Sequence, residues 1–266
     1  MVIADTFNHR IIQWKIGDTN GQVVAGGNGK GNRLDQLDRP TDMLIDKDTD
    51  SLIICDWGNE RVLQWSRRRG TTQGKILFEN ITCQGLVIDD QRYLYISDSR
   101  KHEVRRYQIK GKNWTVVAGG HDRGSGFNQL NLPTFVFVDR QQAVYVSDSS
   151  NHRVMKWNKG AKEGIVVAGD RGQGEALTQL SWPNGLFVDQ LGTIYVADWG
   201  NHRVMRWLKE AKQGTVIVGG NGRGQEANQF NSPTDLTFDR HGHLYVVDYG
   251  NHRVQRFAIE ETHQHS

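Results

Sequence analysis

An internal repeat is the feature of this sequence that most limits how the chain can fold. A tetrapeptide of the form Asn-His-Arg-Val, or a close variant, occurs six times in the 266 residues, at intervals of 51, 42, 50, 50 and 50 residues. An aromatic residue follows each copy, and an aspartate stands three residues before it. The six aspartates are Asp5, Asp56, Asp98, Asp148, Asp198 and Asp248. Self-similarity at this period indicates a repeat architecture with one supersecondary unit per period.

Each period contains four short apolar runs of strand length. In the fifth unit these runs cover residues 183–189, 193–198, 203–207 and 215–218, and Gly, Asn or Asp residues bound them. The runs are rich in β-branched and aromatic residues, and none is long enough for an amphipathic helix. Four strands per unit predict an all-β fold, a six-bladed β-propeller with a four-stranded antiparallel sheet in each blade.

The repeat pattern is incomplete at both ends. The first unit opens inside a second strand at residues 2–5, and the last unit stops after its third strand near residue 257. We therefore expect the first and last blades to lack one strand each. We also expect the chain to be a fragment of a longer protein, without its signal peptide.

The repeated element resembles that of NHL repeats, a family named for an Asn-His-Leu tripeptide. The resemblance covers residues 2 to about 257, and it implies a single propeller domain, most often six-bladed in this family. The expected units span residues 2–26, 40–78, 83–118, 133–168, 183–218 and 233–257, and a disordered tail is expected from about 258 to 266. The fold alone does not define an activity, because similar rings serve many unrelated functions.

The six repeated aspartates are predicted to be structural. A ring has one central site, whereas these residues recur in every blade, so a catalytic or metal-binding role is the less favoured interpretation. Asp and Asn side chains can accept hydrogen bonds from turn N–H groups, and Asn tolerates positive φ. We expect each Asp to end a second strand, and the Arg and His of the element to complete a polar network beneath the turn.

Five residues just after the start of the first strands are the candidate ligand-binding residues. They differ between units, and the resemblance places them at the mouth of the central channel, where ligands usually meet such propellers. They are Asp42, Gln84, Phe135, Asn184 and Asp235. NHL units usually carry Gly at the third place of this strand, and Asp42, Phe135 and Asp235 depart from that pattern. The alternative is that these side chains simply lie at solvated strand starts.

Oxygen-bearing side chains at the channel mouth leave an enzymatic function open. Two carboxylates and an amide around one channel could hold a calcium ion. Such a site resembles that of the six-bladed lactonase and hydrolase propellers, so a calcium-dependent hydrolase is the first alternative to a binding function. No unrepeated histidine cluster matches the zinc site of NHL-type lyases. The sequence assigns no catalytic residue and no cofactor other than this candidate calcium.

An RNA-binding NHL domain is the second alternative. Such domains bind RNA on a basic face, and phosphate affinity grows with the number of basic contacts. The formal net charge is only +3, and the loops that cross between blades mix basic with acidic residues. Basic residues are in excess only in the loops between third and fourth strands, on the opposite rim. The sequence therefore gives no strong nucleic-acid signal, and it contains no apolar segment long enough to span a membrane.

The shortest step between units carries signs of an oxidising compartment. Cys55 ends one second strand, and Cys83 stands where other units have Pro, so a propeller would bring the two cysteines to neighbouring blades on one face. They either form a disulfide or remain buried free thiols. Asn80 and Asn113 begin Asn-X-Thr sequons and are candidate glycosylation sites. Together these features predict an extracellular or secreted protein.

The sequence as a whole favours a non-catalytic binding module. Tolerant loops on a rigid ring suit recognition better than chemistry. We expect the ring to recognise a protein or glycan partner through one of its faces.

Overall fold

The protein is a ring of six antiparallel β-sheets. Its computed structural model describes residues 1–259 except residues 16, 110, 112 and 170. Within this part of the chain, the first and last sheets have three strands and the other four sheets have four. The first strands of neighbouring sheets contact one another around a central axis. The predicted all-β six-bladed propeller with incomplete first and last blades is therefore confirmed.

The strands are numbered in chain order, blade by blade. The first three blades contain β1 (Val2–Asp5), β2 (Arg10–Gln13) and β3 (Gln22–Gly26); β4 (Pro40–Asp46), β5 (Ser51–Asp56), β6 (Arg61–Ser66) and β7 (Lys75–Glu79); and β8 (Cys83–Ile88), β9 (Tyr93–Asp98), β10 (Glu103–Gln108) and β11 (Trp114–Gly119). The last three contain β12 (Pro133–Val138), β13 (Val144–Asp148), β14 (Arg153–Trp157) and β15 (Ile165–Ala168); β16 (Pro183–Val188), β17 (Ile194–Asp198), β18 (Arg203–Trp207) and β19 (Thr215–Gly219); and β20 (Pro233–Phe238), β21 (His243–Asp248) and β22 (Arg253–Ala258). Ala258 thus belongs to a strand, and residues 260–266 of the expected tail lie outside the described residues.

An aspartate at the end of a first strand closes the turn into the second strand. In the fifth blade, the Oδ1 atom of Asp189 accepts the N–H groups of Leu191 and Thr193, each at 2.9 Å. Asp139 and Asp239 accept N–H groups at equivalent positions of their own blades. These bonds satisfy turn donors that the sheet ladder leaves free, which is why a turn of this kind recurs around the ring.

The hydrophobic core lies between neighbouring sheets. Five clusters of buried residues join blades one to two, two to three, three to four, four to five, and five to six. The cluster between blades four and five contains Tyr145 and Val154 from one sheet and Met205 and Trp207 from the next. The aromatic residue after each repeated element supplies much of this packing, as at the almost fully buried Trp157 and Trp207.

The two incomplete sheets differ in burial from the complete ones. Every residue of β1 is only partly buried, whereas every residue of its equivalent β5 is buried. Strand β22 likewise keeps exposed residues where β18 is almost wholly buried. Among the described residues, no buried cluster joins the sixth blade to the first. No helix in this part of the chain is long and apolar enough to cross a membrane.

Candidate functional site

The repeated aspartate forms the centre of a hydrogen-bond network in the fifth blade. The Oδ2 atom of Asp198 accepts Nδ2 of Asn201 at 2.8 Å and Nε of Arg203 at 2.7 Å. Its Oδ1 atom accepts the backbone N–H of Ser181 at 2.7 Å. Burial raises the pKa of Asp198, and these three donors act in the opposite direction. A buried carboxylate with a cation and several donors is a satisfied ion pair rather than a free reactive group.

The arginine of the element binds the loop that crosses from the preceding blade. The guanidinium of Arg203 donates to the carbonyl oxygens of Glu175, Ala176 and Gln179 at distances of 2.7 to 3.2 Å. Arg61, Arg153 and Arg253 bind the corresponding carbonyls of their own crossing loops. The network therefore fixes each crossing loop to the sheet that follows it.

The histidine of the element links its blade to the next one. His202 adopts a φ of 53° just after the one-turn 3-10 helix Trp199–Asn201. Its Nδ1 atom accepts the backbone N–H of Ser232 at 3.1 Å. The same bond joins His9 to Arg39, His102 to Leu132 and His152 to Trp182.

The third blade departs from this pattern because its crossing loop is short. Residues 80–82 replace the long crossing loops found between the other consecutive blades. Glu103 stands in place of the arginine, and it accepts Nε of Arg105 at 2.6 Å. Asp98 accepts the N–H groups of Arg100 and Lys101 instead of one from a crossing loop. The arginine is thus missing in the blade that is preceded by the short connection instead of a long crossing loop.

A disulfide joins Cys55 and Cys83 across this short connection. The two Cα atoms are 5.3 Å apart, and both residues are fully buried in the cluster between blades two and three. Asn80 and Asn113 of the two sequons are both exposed. Their glycosylation stays a prediction.

The five candidate ligand-binding residues line one cavity of about 430 Å³. The cavity lies at the axial end of the first strands, and the five side chains come from five successive blades. Its walls also include β1, the start of β20 and the 3-10 helix residue Trp199. The residues are Asp42, Gln84, Phe135, Asn184 and Asp235, all of them partly buried.

Asp42 and Asp235 are equivalent residues with different surroundings. Asp42 accepts the N–H of Met43 through Oδ1 at 2.7 Å and the N–H of Leu86, on the next blade, through Oδ2 at 2.9 Å. Asp235 accepts the N–H of Leu236 through Oδ1 at 2.7 Å, and among the described residues no donor reaches its Oδ2. Burial raises the pKa of Asp42 to about 6. Burial and the charge of Asp42 together raise the pKa of Asp235 to about 8.

This arrangement fits a calcium ion poorly. Calcium takes six to eight oxygen ligands. Both oxygens of Asp42 already accept backbone N–H groups. In the described part of the chain, no group of three or more His, Cys, Asp and Glu side chains could hold a metal ion. Calcium therefore stays an untested prediction, and we derive no chemical step through it.

Aromatic side chains on the rim of the cavity were not predicted from the sequence. Trp199 and Tyr249 line the cavity and are each 37% exposed. Phe7 is 64% exposed, and its ring centroid lies 5.9 Å from that of Tyr249. All three follow a repeated aspartate by one or two positions, where the units differ from one another. Variable residues directly after a constant aspartate were the sequence feature that could have indicated these rim residues.

The fold and its repeated element define a six-bladed β-propeller whose blades are tied together by Asp, Asn, His and Arg side chains. A family profile described as the NHL repeat matches residues 180–206 and 230–257, in the fifth and sixth units. The chain is an NHL-repeat β-propeller, as its sequence predicts. No curated protein matches it significantly in sequence.

Solved structures resemble the chain in fold at low sequence identity. One is a protein of unknown function from Bacteroides thetaiotaomicron VPI-5482, with 17% identity and a TM-score of 0.74 over 97% of this chain and 66% of that one. Another, described as an auxiliary nutrient binding protein from the same organism, has 16% identity and a TM-score of 0.75 over 98% and 66%. A chain of a nidogen/laminin complex has 16% identity and a TM-score of 0.72 over 97% and 88%. The chain thus spans just under two thirds of the first two structures, and the fold fits a binding module.

Proposed function

We propose that this propeller is a non-catalytic binding module that holds a protein partner against the channel-mouth face. The observation that most supports this proposal is a group of exposed aromatic residues beside a cavity lined by carboxylates and amides. The three residues are Phe7, Trp199 and Tyr249. Aromatic side chains are enriched at protein interfaces, where they contribute much of the binding free energy. The polar groups inside the cavity would set the orientation of the partner.

The pairing of basic with acidic side chains on this face supports a protein partner rather than RNA. Basic residues of the first crossing loop are paired with acidic residues of the same loop. Nε of Arg33 lies 2.9 Å from Asp35, and Nε of Arg39 lies 3.1 Å from Asp38. Paired guanidinium groups leave little net positive charge to attract a phosphate backbone.

We further propose that the protein works outside the cell. The buried disulfide between Cys55 and Cys83 supports this, because disulfides persist in oxidising compartments. The exposed positions of Asn80 and Asn113 are compatible with glycosylation there.

The test is a screen of two defined probe sets with the whole chain. A displayed peptide library and a glycan array are each probed, and the selected ligands are titrated against Trp199→Ala, Tyr249→Ala and Leu191→Ala. Leu191 is 80% exposed in the turn between β16 and β17, at the opposite end of these strands, and serves as the matched control. We expect peptide ligands whose affinity falls by about tenfold or more in the two aromatic variants and is unchanged in Leu191→Ala.

Two results would contradict the proposal. Ligands that bind all three variants equally would show that this face is not the binding surface. Glycan ligands that depend on Trp199 and Tyr249, without any peptide ligand, would keep the surface and replace the partner class.

A further inference from the structure

The turn between the first and second strands recurs with the same backbone shape but with different side chains. It lies at the opposite end of the first strands from the channel mouth. Its fourth residue has a positive φ in the third, fourth and fifth blades, where it is Arg92 (70°), Gln142 (62°) and Gly192 (83°). In each blade the N–H of this residue donates to the carbonyl oxygen of the aspartate three positions earlier, at 2.9 to 3.1 Å. The three residues are therefore structurally equivalent.

Two of these side chains reach back to the preceding blade. Arg92 donates from both Nη atoms to the carboxylate of Asp46, and its Nη2 atom lies 2.9 Å from Oδ2. Nε2 of Gln142 donates to Oδ2 of Asp89 at 3.4 Å. Asp46 and Asp89 have the same place at the end of the first strand of their blades. At both junctions a donor from the turn of one blade thus meets the aspartate of the blade before it.

The junction between the fourth and fifth blades lacks such a side chain, because Gly192 has the equivalent place. Apart from its chain neighbours, the atom nearest to a Cβ atom built on Gly192 would lie 3.5 Å away, which is an ordinary contact. That atom belongs to the long side chain of Lys209. The space that Arg92 and Gln142 fill at the earlier junctions is therefore open here.

Asp139 is the aspartate that this glycine leaves without a partner from the next blade. Its Oδ1 atom accepts the N–H of Ala143 at 2.8 Å, and its Oδ2 atom lies 3.4 Å from the hydroxyl of Tyr145. Both partners belong to the fourth blade, and among the described residues no donor from the fifth blade reaches the carboxylate. A partly buried carboxylate favours a ligand that brings a donor. The filled junctions show that a guanidinium or an amide fits this place.

A long cleft opens beside Asp139. A cavity of about 830 Å³ lies between the turns of the two blades, and a second cavity of about 360 Å³ continues outward along the same junction. The two cavities share Tyr145, Lys156, Gly192 and Lys209 in their walls. A continuous cleft of this size suits a ligand larger than a single amino acid.

Basic side chains line most of the charged wall of this cleft. The charged residues around the larger cavity are four basic residues and two aspartates, namely Arg140, Lys156, Lys159, Lys209, Asp139 and Asp189. Nζ of Lys156 lies 5.0 Å from the centroid of the Tyr145 ring. Among the described residues none of the three lysines forms an ion pair. The lysines repel a ligand that is only cationic and the aspartates repel one that is only anionic, so the cleft favours a ligand with both charges.

We propose that this cleft binds an arginine side chain that a partner protein presents within an acidic segment. The guanidinium lies against Asp139, as that of Arg92 lies against Asp46, and the flanking carboxylates of the segment contact the three lysines. A guanidinium can form two parallel hydrogen bonds with a carboxylate, whereas an ammonium acts as a point charge, so arginine is preferred over lysine. The cleft and the aromatic rim are at opposite ends of the first strands, so this site is independent of the function proposed above.

Gly242 provides a matched control for Gly192. It has the same place in the turn of the sixth blade, with a φ of 82°, and a Cβ atom there would meet no atom within 4 Å apart from its chain neighbours. The sixth blade has three strands among the described residues, whereas the blades on both sides of the cleft have four. A side chain added at Gly242 therefore tests the cost of positive φ without filling the cleft.

The experiment titrates the whole chain with a capped pentapeptide that has one arginine between two pairs of glutamates. Backbone NMR signals are followed, and we expect shifts in the turns 139–142 and 189–192 and at the lysines of the cleft. Two control peptides carry lysine or glutamine in place of the arginine. We expect each control to bind about tenfold or more weakly, because neither can form the paired bonds of a guanidinium with a carboxylate.

Variants of the chain test whether the cleft is the site. Gly192→Gln places the side chain of Gln142 in the cleft and is expected to weaken the arginine peptide by about tenfold or more, since it occupies the place of the guanidinium. Gly242→Gln makes the same change in the sixth blade and is expected to bind like the original protein. Asp139→Asn is expected to weaken the arginine peptide by about tenfold and to leave the glutamine peptide unchanged.

An exposed residue gives a test that does not depend on the stability of a turn. Lys209→Gln is expected to weaken the arginine peptide by about threefold and to reduce the dependence of binding on salt, because an exposed ion pair is lost. Circular dichroism checks that Gly192→Gln and Asp139→Asn are folded.

Four results would overturn the proposal. The first is an absence of binding at millimolar arginine peptide. The second is equal binding of the glutamine peptide to the original protein, which would make the cleft a site for anions alone. The third is undiminished binding to Gly192→Gln, and the fourth is a loss of binding in Trp199→Ala, which would place the peptide at the channel mouth.

Discussion

The Nδ1 atom of His152 accepts a hydrogen bond from the backbone N–H of Trp182 at 3.1 Å, and the two rings meet edge to face with their centroids 5.2 Å apart. His152 belongs to the element of the fourth blade, whereas Trp182 directly precedes the first strand of the fifth. An imidazole can accept this bond only in its neutral form. Burial lowers the pKa of His152, which is consistent with that role.

His152→Ala is expected to lower the free energy of unfolding by about 2 kcal/mol, because the N–H of Trp182 loses its acceptor and Ala would be held at positive φ. His152 has a φ of 56°. The matched control is His152→Asn, which keeps an acceptor and tolerates this conformation, and it should cost less. Denaturant unfolding of the three proteins measures both effects. Equal stability of His152→Ala and the original protein would contradict the assigned role.

Asp198→Ala is expected to destabilise the protein by about 3 to 5 kcal/mol, since it leaves a buried guanidinium without its partner. The side chain of Arg203 is 7% exposed. Asp248→Ala in the last blade is the matched comparison, because it removes the same bond to Arg253, whose side chain is 31% exposed. Because water can solvate Arg253, Asp248→Ala should lower the free energy of unfolding clearly less than Asp198→Ala does. Thermal and denaturant unfolding measure the loss of stability in each variant. A larger loss in Asp248→Ala than in Asp198→Ala would contradict this explanation.

The stability of the protein is expected to depend on the ionisation of Asp235. Its pKa is raised to about 8 in the folded protein, so folding favours the neutral form. Its contribution to stability is complete below its usual pKa near 4 and is lost as the pH rises toward 8. Asp42, with a pKa raised to about 6, acts in the same direction.

Asp235→Asn should therefore flatten the fall of unfolding free energy between pH 4 and pH 8. The quantity to compare is the difference in unfolding free energy between the variant and the original protein at each pH. This difference removes the effect of histidines with lowered pKa values, such as His152, which destabilise both proteins at the acidic end of this range. A difference that stays constant with pH would mean that Asp235 does not titrate in this range.

Removal of the disulfide by the double change Cys55→Ala and Cys83→Ala is expected to lower the free energy of unfolding by about 3 kcal/mol. The bridge closes a sequence separation of 28 residues, and a closed loop of that order restricts the unfolded chain. A reducing agent should destabilise the original protein and leave the double variant unchanged. Intact mass after alkylation of the unfolded protein without reductant checks the bridge itself, and two alkylated thiols would rule it out.

The repeat made most of the fold predictable. In the fifth blade, each predicted strand boundary agrees with β16 to β19 within one residue. Residue type predicted that the repeated aspartates accept turn N–H groups, but Asp198 instead accepts the crossing-loop N–H of Ser181 and the side chains of Asn201 and Arg203. The main partners of Arg203 could not be foreseen, because they are backbone carbonyls of a distant loop and carbonyls have no sequence signature.

The candidate site was predictable only at the level of position. Asp42 and Asp235 look alike in the sequence, each after Pro-Thr at a strand start. Their difference depends on whether the next blade offers an N–H group, which is a property of the ring and not of the repeat. Trp199 and Tyr249 were not predicted because a repeat pattern displays what the units share, whereas these two rim residues stand where the units differ.

In the second, fourth, fifth and sixth blades the arginine binds the crossing loop before its own sheet, and this pairing sets a rule for exchanging parts of the ring. Glu103 of the third blade occurs with the short connection of residues 80–82 before that blade, just as Arg203 of the fifth blade occurs with the long loop before it. A designer who grafted a long loop before the third blade would also have to replace Glu103 with Arg. The segment to exchange as one unit therefore begins at a crossing loop and ends after the next arginine of the repeated element. Its boundaries differ from those of a single β-sheet of the ring.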